Sequence, residues 1–170
     1  ALRKRYQFEM YDKAQSIIDE IGMYTNGSHV EELYEINNYI IDHGVYTPDI
    51  VRNKVTHTMQ RKAYGILVEG KGICSAYARA FQLVARMAGF ICVVDGGRAA
   101  LSKNPVTGAI KTGPHAWNMV YIDEGKWLMV DPTFNDDGDD GFSIARNSYL
   151  MIPKNASSRN RVSDGRCFAK

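Results

Sequence analysis

Cysteine is scarce in this 170-residue chain. Its three residues, Cys74, Cys92 and Cys167, are too few and odd in number for a disulfide framework, and no CxxC pair suggests a zinc site. No apolar run reaches the roughly 18 residues that a membrane-spanning helix needs. Charge of one sign is also lacking as an excess. The 21 basic residues stand against 19 acidic ones, a net of +2, which gives no support to a nucleic-acid or polybasic membrane partner. The one basic cluster, Arg3-Lys4-Arg5, reads as a solvated terminal turn. Internal repeats and low-complexity tracts are absent, so fibrous and disordered classes are excluded. What remains is 45% apolar and 24% charged, ordinary for one globular domain over residues 1–170, long enough to bury a core. The sequence begins at Ala1 rather than Met, as expected of a processed or excised chain.

The first 45 residues carry helical periodicity. Tyr6, Met10, Ala14, Ile17 and Ile21 fall at steps of three and four, one face of a helix. Asn26-Gly27 marks a turn, and Ser28 to Glu31 has the spacing of a capping box. Val30, Leu33, Tyr34, Ile40 and Ile41 then predict a second apolar face, with Asn37 as its polar exception, and Gly44 and Pro48 end the helix. Residues 49–61 read as loop or short helix, and Tyr64 to Val68 as one turn. From Cys74 the helical pattern returns, with Tyr77, Phe81, Val84 and Ala85 on one face and Gly89 as the stop.

After Gly89 the period becomes two. Phe90 to Val94, His115 to Ile122, Lys126 to Val130 and Tyr149 to Ile152 read as strands, and residues 96–113 as a long glycine-containing loop able to edge or gate a cleft. Helices first and strands second predict an α+β fold with an antiparallel sheet.

Three residues suggest chemistry. Cys74 opens a helix, where the macrodipole favours a thiolate and the unpaired amides of the first turn can hold an oxyanion. His115, in Gly-Pro-His-Ala-Trp-Asn, opens a strand. Asp131, in Val-Asp-Pro-Thr-Phe, closes the next one. A cysteine nucleophile needs a base, and the base needs an orienting acceptor. Strand parity tests whether the last two can meet. A two-residue turn at Glu124-Gly125 would put His115 and Asp131 on opposite faces. A three-residue loop, Asp123-Glu124-Gly125, puts both on one face, with Trp117 opposite Asp131 and His115 its diagonal neighbour at roughly 7–8 Å. Such a loop wants a left-handed residue at Gly125. The shared face would carry Trp117, Met119, Tyr121, Trp127 and Met129, and is expected to receive the Cys74 helix.

Other candidates are weaker. His29, His43 and His57 read as surface or structural, and no spacing suggests a metal site or cofactor. The acidic stretch Asn135 to Gly141 lacks the glutamate of a calcium loop and reads as a solvated turn. Cys92 reads as a buried hydrophobe, and Cys167 as free or paired with Cys92.

Gly70-Lys71-Gly72-Ile73-Cys74-Ser75-Ala76-Tyr77-Ala78, then His115-Ala116-Trp117-Asn118, then Val130-Asp131-Pro132-Thr133-Phe134, resemble in order the three motifs of the transglutaminase-like superfamily. In its bacterial branch Tyr64-Gly65-Ile66-Leu67-Val68 also has a counterpart. The resemblance covers residues 60 to 135. It implies a papain-like fold and a thiol acyl-transfer site with Cys74 as nucleophile, His115 as base and acid, and Asp131 as orienter. The implied substrates are a protein or peptide glutamine and an amine acceptor, with peptide or amide hydrolysis, or a non-catalytic interaction module, as alternatives. The tryptophan that serves the oxyanion upstream of the cysteine in animal enzymes has no counterpart here. Gln60 and Tyr64 are the candidates for that role, and Trp117 is a candidate cleft residue. Secretion or surface display is the location that the bacterial members imply.

Overall fold

The computed structural model describes residues 2–54, 58–104, 106–122, 125–136, 149–153 and 161–163. Two helices open the chain, α1 (Leu2–Gly22) and α2 (His29–His43). The Ser28 side chain accepts from the Glu31 amide, as the capping box predicts, and Gly44 is the C-cap. On α1, Ala14, Ile17 and Ile21 are buried. On α2 the buried set is Leu33, Ile36, Asn37, Ile40 and Ile41. Val30 and Tyr34, expected on that face, are exposed, because the stripe runs through Ile36 instead. Asn37 is tolerated inside because its Oδ1 accepts from Asn135 Nδ2 at 3.0 Å.

The connecting region holds β1 (Val45–Tyr46), α3 (Pro48–Arg52), a 3-10 turn (Met59–Arg61), α4 (Ala63–Leu67) and β2 (Lys71–Gly72). Strands β1 and β2 pair in parallel, a contact that two-residue segments do not announce in sequence. Then comes α5 (Cys74–Met87), whose apolar face, Tyr77, Phe81, Val84 and Ala85, is fully buried as periodicity predicts.

The sheet is antiparallel, with β3 (Ile91–Lys103), β4 (Ile110–Ile122), β5 (Lys126–Val130), β6 (Ile152–Pro153) and β7 (Arg161–Ser163) in the order β6-β5-β4-β3-β7. Between α6 (Pro132–Asn135) and Tyr149 the described residues stop at Asp136. The acidic stretch beyond Asp136, His57 and Cys167 therefore lie outside the described residues.

Two expectations are corrected here. Residues 96–113 are not a long loop. Strands β3 and β4 continue through them as a hairpin, with Gly97 opposite His115, Arg98 opposite Pro114 and an irregularity between Ala100 and Ser102. Gly96, Gly97 and Gly113 resemble breakers only locally; cross-strand hydrogen bonding overrides that preference. The turn itself is confined to the hairpin's tip. There Asn104 Oδ1 accepts from the Val106 and Thr107 amides, both at 2.9 Å, and Gly108 takes a positive φ of 69°.

The second correction concerns the sheet face. Helix α5 packs on the face of Cys92, Val120 and Val130, which join one core with Tyr77, Phe81 and Val84. Asn118 Nδ2 donates to the Ala78 carbonyl of α5 at 2.8 Å from that side. The opposite face, where the helix was expected, carries Val93, Trp117, Met119 and Met129 as a separate cluster beneath Tyr149 and Ile152.

Candidate active site

Cys74 is the first residue of α5, and Ile73 is its extended N-cap. The approach to it is tightly built. The Ile73 amide donates to the Gln60 carbonyl at 3.1 Å, and Ser75 Oγ donates to the Arg61 carbonyl at 3.2 Å. The 3-10 turn thus clamps both chain neighbours of the cysteine.

Register places the other two residues. Asn118 pairs with Val130 and Met119 with Met129, which is the pairing that a three-residue loop requires. Gly125 has a φ of 77°, the left-handed conformation such a loop needs. Asp123 and Glu124 lie outside the described residues. His115 and Asp131 consequently share a face, and His115 Nε2 meets Asp131 Oδ2 at 2.8 Å. Both side chains are buried, at 3% and 0% exposure, so little water competes with this contact.

The Val-Asp-Pro-Thr-Phe segment explains how one carboxylate is held so firmly. Asp131 is also the N-cap of α6: its Oδ1 accepts from the Phe134 amide at 3.2 Å, and Pro132 occupies the first helical position. Its backbone amide donates to the Tyr149 carbonyl at 3.0 Å. One carboxylate oxygen therefore fixes the helix and the other fixes the imidazole. Phe134, not singled out from sequence, then lies over the His115 ring at 4.4 Å and 26°. The signal was available, since a residue three beyond an Asp N-cap is carried back over the cap.

Cys74 acts electrostatically on this pair although α5 lies on the other sheet face. Tyr77 Oη donates to Asp136 Oδ2 at 2.8 Å and ties the start of α5 to the segment that follows Asp131. The electrostatics register the proximity. Burial pulls the His115 pKa down. The charge and hydrogen bond of Asp131, with a hydrogen bond and charge interaction from Cys74, more than reverse this and raise it to about 10. With Nε2 engaged by Asp131, Nδ1 is the nitrogen left for Cys74.

The remaining candidates separate. The Gln60 backbone adjoins Ile73, one residue from the nucleophile position. Tyr64 does not offer a spare hydroxyl proton: its Oη donates to Glu9 Oε2 at 2.8 Å, and this bond raises its pKa to about 12. Tyr64→Phe is therefore expected to leave the rate of acyl transfer to an amine unchanged, whereas a fall of tenfold or more in that rate, with Cys74 alkylation unaffected, would restore the tyrosine to the oxyanion role. Trp117 is 2% exposed, with its ring 6.1 Å from that of His115, so it backs the histidine rather than facing a cleft. Cys92 is buried and carries no disulfide, and burial pushes its thiol up to about 12, far from a reactive form. Among the described residues no His, Cys, Asp and Glu cluster is placed to hold a metal ion, and no helix is long and apolar enough to cross a membrane.

A thiol at a helix N-terminus, beside a buried carboxylate-bound imidazole on an α+β scaffold, defines the papain-like class of cysteine enzyme folds. The sequence matches the transglutaminase-like superfamily over residues 15–132, and the chain belongs to that superfamily. It is 33% identical to mouse (Mus musculus) kyphoscoliosis peptidase over 109 residues, 63% of this chain and 16% of that protein. The periplasmic domain of TgpA from Pseudomonas aeruginosa superposes with a TM-score of 0.54 at 25% identity, covering 73% of this chain and 44% of that one. The structure of a TGase gives 0.56 at 18% identity, covering 73% and 31%, a likeness of fold alone. The chain spans less than half the length of these relatives.

Proposed function

We propose that this domain performs thiol-dependent acyl transfer, with Cys74 as nucleophile, His115 as general base and acid, and Asp131 as the orienting carboxylate. The 2.8 Å bond between His115 and Asp131, with Cys74 acting on the same imidazole, carries the reading. The acyl donor in this proposal is a glutamine side chain of a protein or peptide.

The chemistry follows from the placement. With its pKa raised to about 10 by Asp131, His115 holds a proton at neutral pH and can act as the general acid. The sulfur attacks the amide carbonyl. The Cys74 backbone amide, unpaired at the start of its helix, and the Gln60 side-chain amide are the proposed donors to the oxyanion. His115 gives its proton to the departing ammonia through Nδ1, while Asp131 keeps Nε2 occupied. An amine or water, deprotonated by His115, then resolves the thioester. An extracytoplasmic setting belongs to the proposal, supported by the likeness to a periplasmic domain.

Incorporation of a fluorescent primary amine into a glutamine-rich protein tests this directly. Label is expected with the unaltered chain and a loss of at least about 10³-fold with Cys74→Ala. Absence of label together with shortened bands would favour peptide hydrolysis on the same three residues. That second reading has its own support in the 33% identity to kyphoscoliosis peptidase.

A further inference from the structure

A cavity of about 900 Å³ opens between α1, α4, α5 and the sheet. Ser75 and Ala116 line it, and these are the chain neighbours of Cys74 and His115. Cys74 and His115 are not themselves among the lining residues, so the cavity borders the proposed catalytic pair through the chain neighbours of each. Its walls are largely apolar, with Met10, Leu83 and Val94 among them, and the volume lies within the range of ligand pockets. Two cations, Lys62 and Arg79, complete the lining, and both are exposed.

The charge distribution around this space is one-sided. Among the described residues no aspartate or glutamate lines the cavity. Among the described residues neither Lys62 nor Arg79 forms an ion pair. The nearby Glu9 is already committed on both oxygens, to Arg5 at 2.8 Å and to Tyr64 at 2.8 Å. An apolar cavity with two unneutralised cations is complementary to an apolar side chain next to a carboxylate.

We propose that this cavity is the specificity subsite of the enzyme, and that it takes a substrate segment carrying a large apolar residue adjacent to an aspartate or glutamate. The proposal rests on the acyl-transfer reading, because it assigns this segment to the polypeptide that Cys74 attacks. The apolar side chain fills the space between α1 and α5, and the acidic one meets Lys62 and Arg79.

The test uses peptides bearing a chloroacetamide in place of the reacting glutamine amide, with a Leu-Glu pair set two, three or four residues to either side. The cysteine sulfur displaces chloride, so the readout is covalent labelling of Cys74 and does not depend on the acyl acceptor. At one position the Leu-Glu peptide is expected to react roughly tenfold faster than its Leu-Lys or Ala-Glu counterpart. The double variant K62E/R79E should reverse the Glu-over-Lys preference, and Leu83→Trp should abolish the Leu-over-Ala one. Each peptide rate is divided by the same variant's rate with iodoacetamide, which needs no subsite, so that a change in thiol reactivity common to all reagents cancels. Equal rates for all peptides, or a Glu preference that survives K62E/R79E, would overturn the subsite while His115-dependent iodoacetamide reactivity left the catalytic reading standing. If His115→Ala leaves the iodoacetamide rate unchanged, the catalytic reading falls and the subsite falls with it.

Discussion

Asp131→Ala is expected to lower unfolding free energy by roughly 3–5 kcal/mol, the cost of stranding one member of a buried charged pair. Both carboxylate oxygens are used. Removing Oδ2 leaves the His115 imidazole buried at 3% exposure with its strongest partner gone, and removing Oδ1 uncaps α6. Asp131→Asn separates the two effects. Asparagine still caps a helix well, so α6 and the Phe134 stack should persist while the charge is lost. The same substitution tests the pH dependence. The folded His115 has a pKa raised to about 10 from 6.5. Its contribution is complete below about pH 6.5, where both folded and unfolded states hold the proton. It declines as pH rises towards 10, because the unfolded chain releases the proton first, at up to about 1.4 kcal/mol per pH unit. Urea unfolding from pH 6 to 10 should show this decline in the unaltered chain and a flatter profile in Asp131→Asn. Identical slopes would mean that the imidazole is not held as a cation.

Gly65→Ala should also be severe, at or beyond the upper end of the ~1–3 kcal/mol cost of overpacking. In an ordinary helix the change stabilises by about 0.5–1 kcal/mol, so the sign itself is informative. Gly65 lies in the buried helix α4, and an added Cβ would sit 2.6 Å from Gln60 Cα, 2.7 Å from the Met59 carbonyl and 2.8 Å from the Lys71 carbonyl. All three are backbone atoms, so no rotamer change relieves the clash. The 3-10 turn or β2 must move, and either shift disturbs the Gln60–Ile73 hydrogen bond beside Cys74. A midpoint fall in thermal unfolding is expected together with slower Cys74 alkylation. Gly22→Ala, whose new Cβ meets nothing within 4 Å, serves as the control and should be neutral or mildly stabilising.

Much of the site is local, and local features are readable. The start of α5 at Cys74 follows from the glycine-rich entry and the four-residue periodicity after it. The register of β4 and β5 follows from parity once His115 and Asp131 are required to meet, because strand side chains alternate and, without a bulge, an odd-length loop lets the two share a face. The role of Asp131 as a cap is written in its own Asp-Pro sequence.

What sequence alone determined is therefore where α2 and α5 begin and which residues share a strand face, since periods of two and 3.6 are properties of a single segment. Tertiary structure decided what meets what. Both faces of β4 are apolar, so periodicity could not choose the side on which α5 packs, and the helix took the face of Asn118 and Val120. Gly96, Gly97 and Gly113 have weak strand preference in isolation, and only pairing across the hairpin makes them strand. The Tyr64–Glu9 bond joins residues 55 positions apart, and Asn135–Asn37 residues 98 apart, which no local pattern encodes. Such contacts form because buried polar groups must find partners wherever the packed chain brings them together.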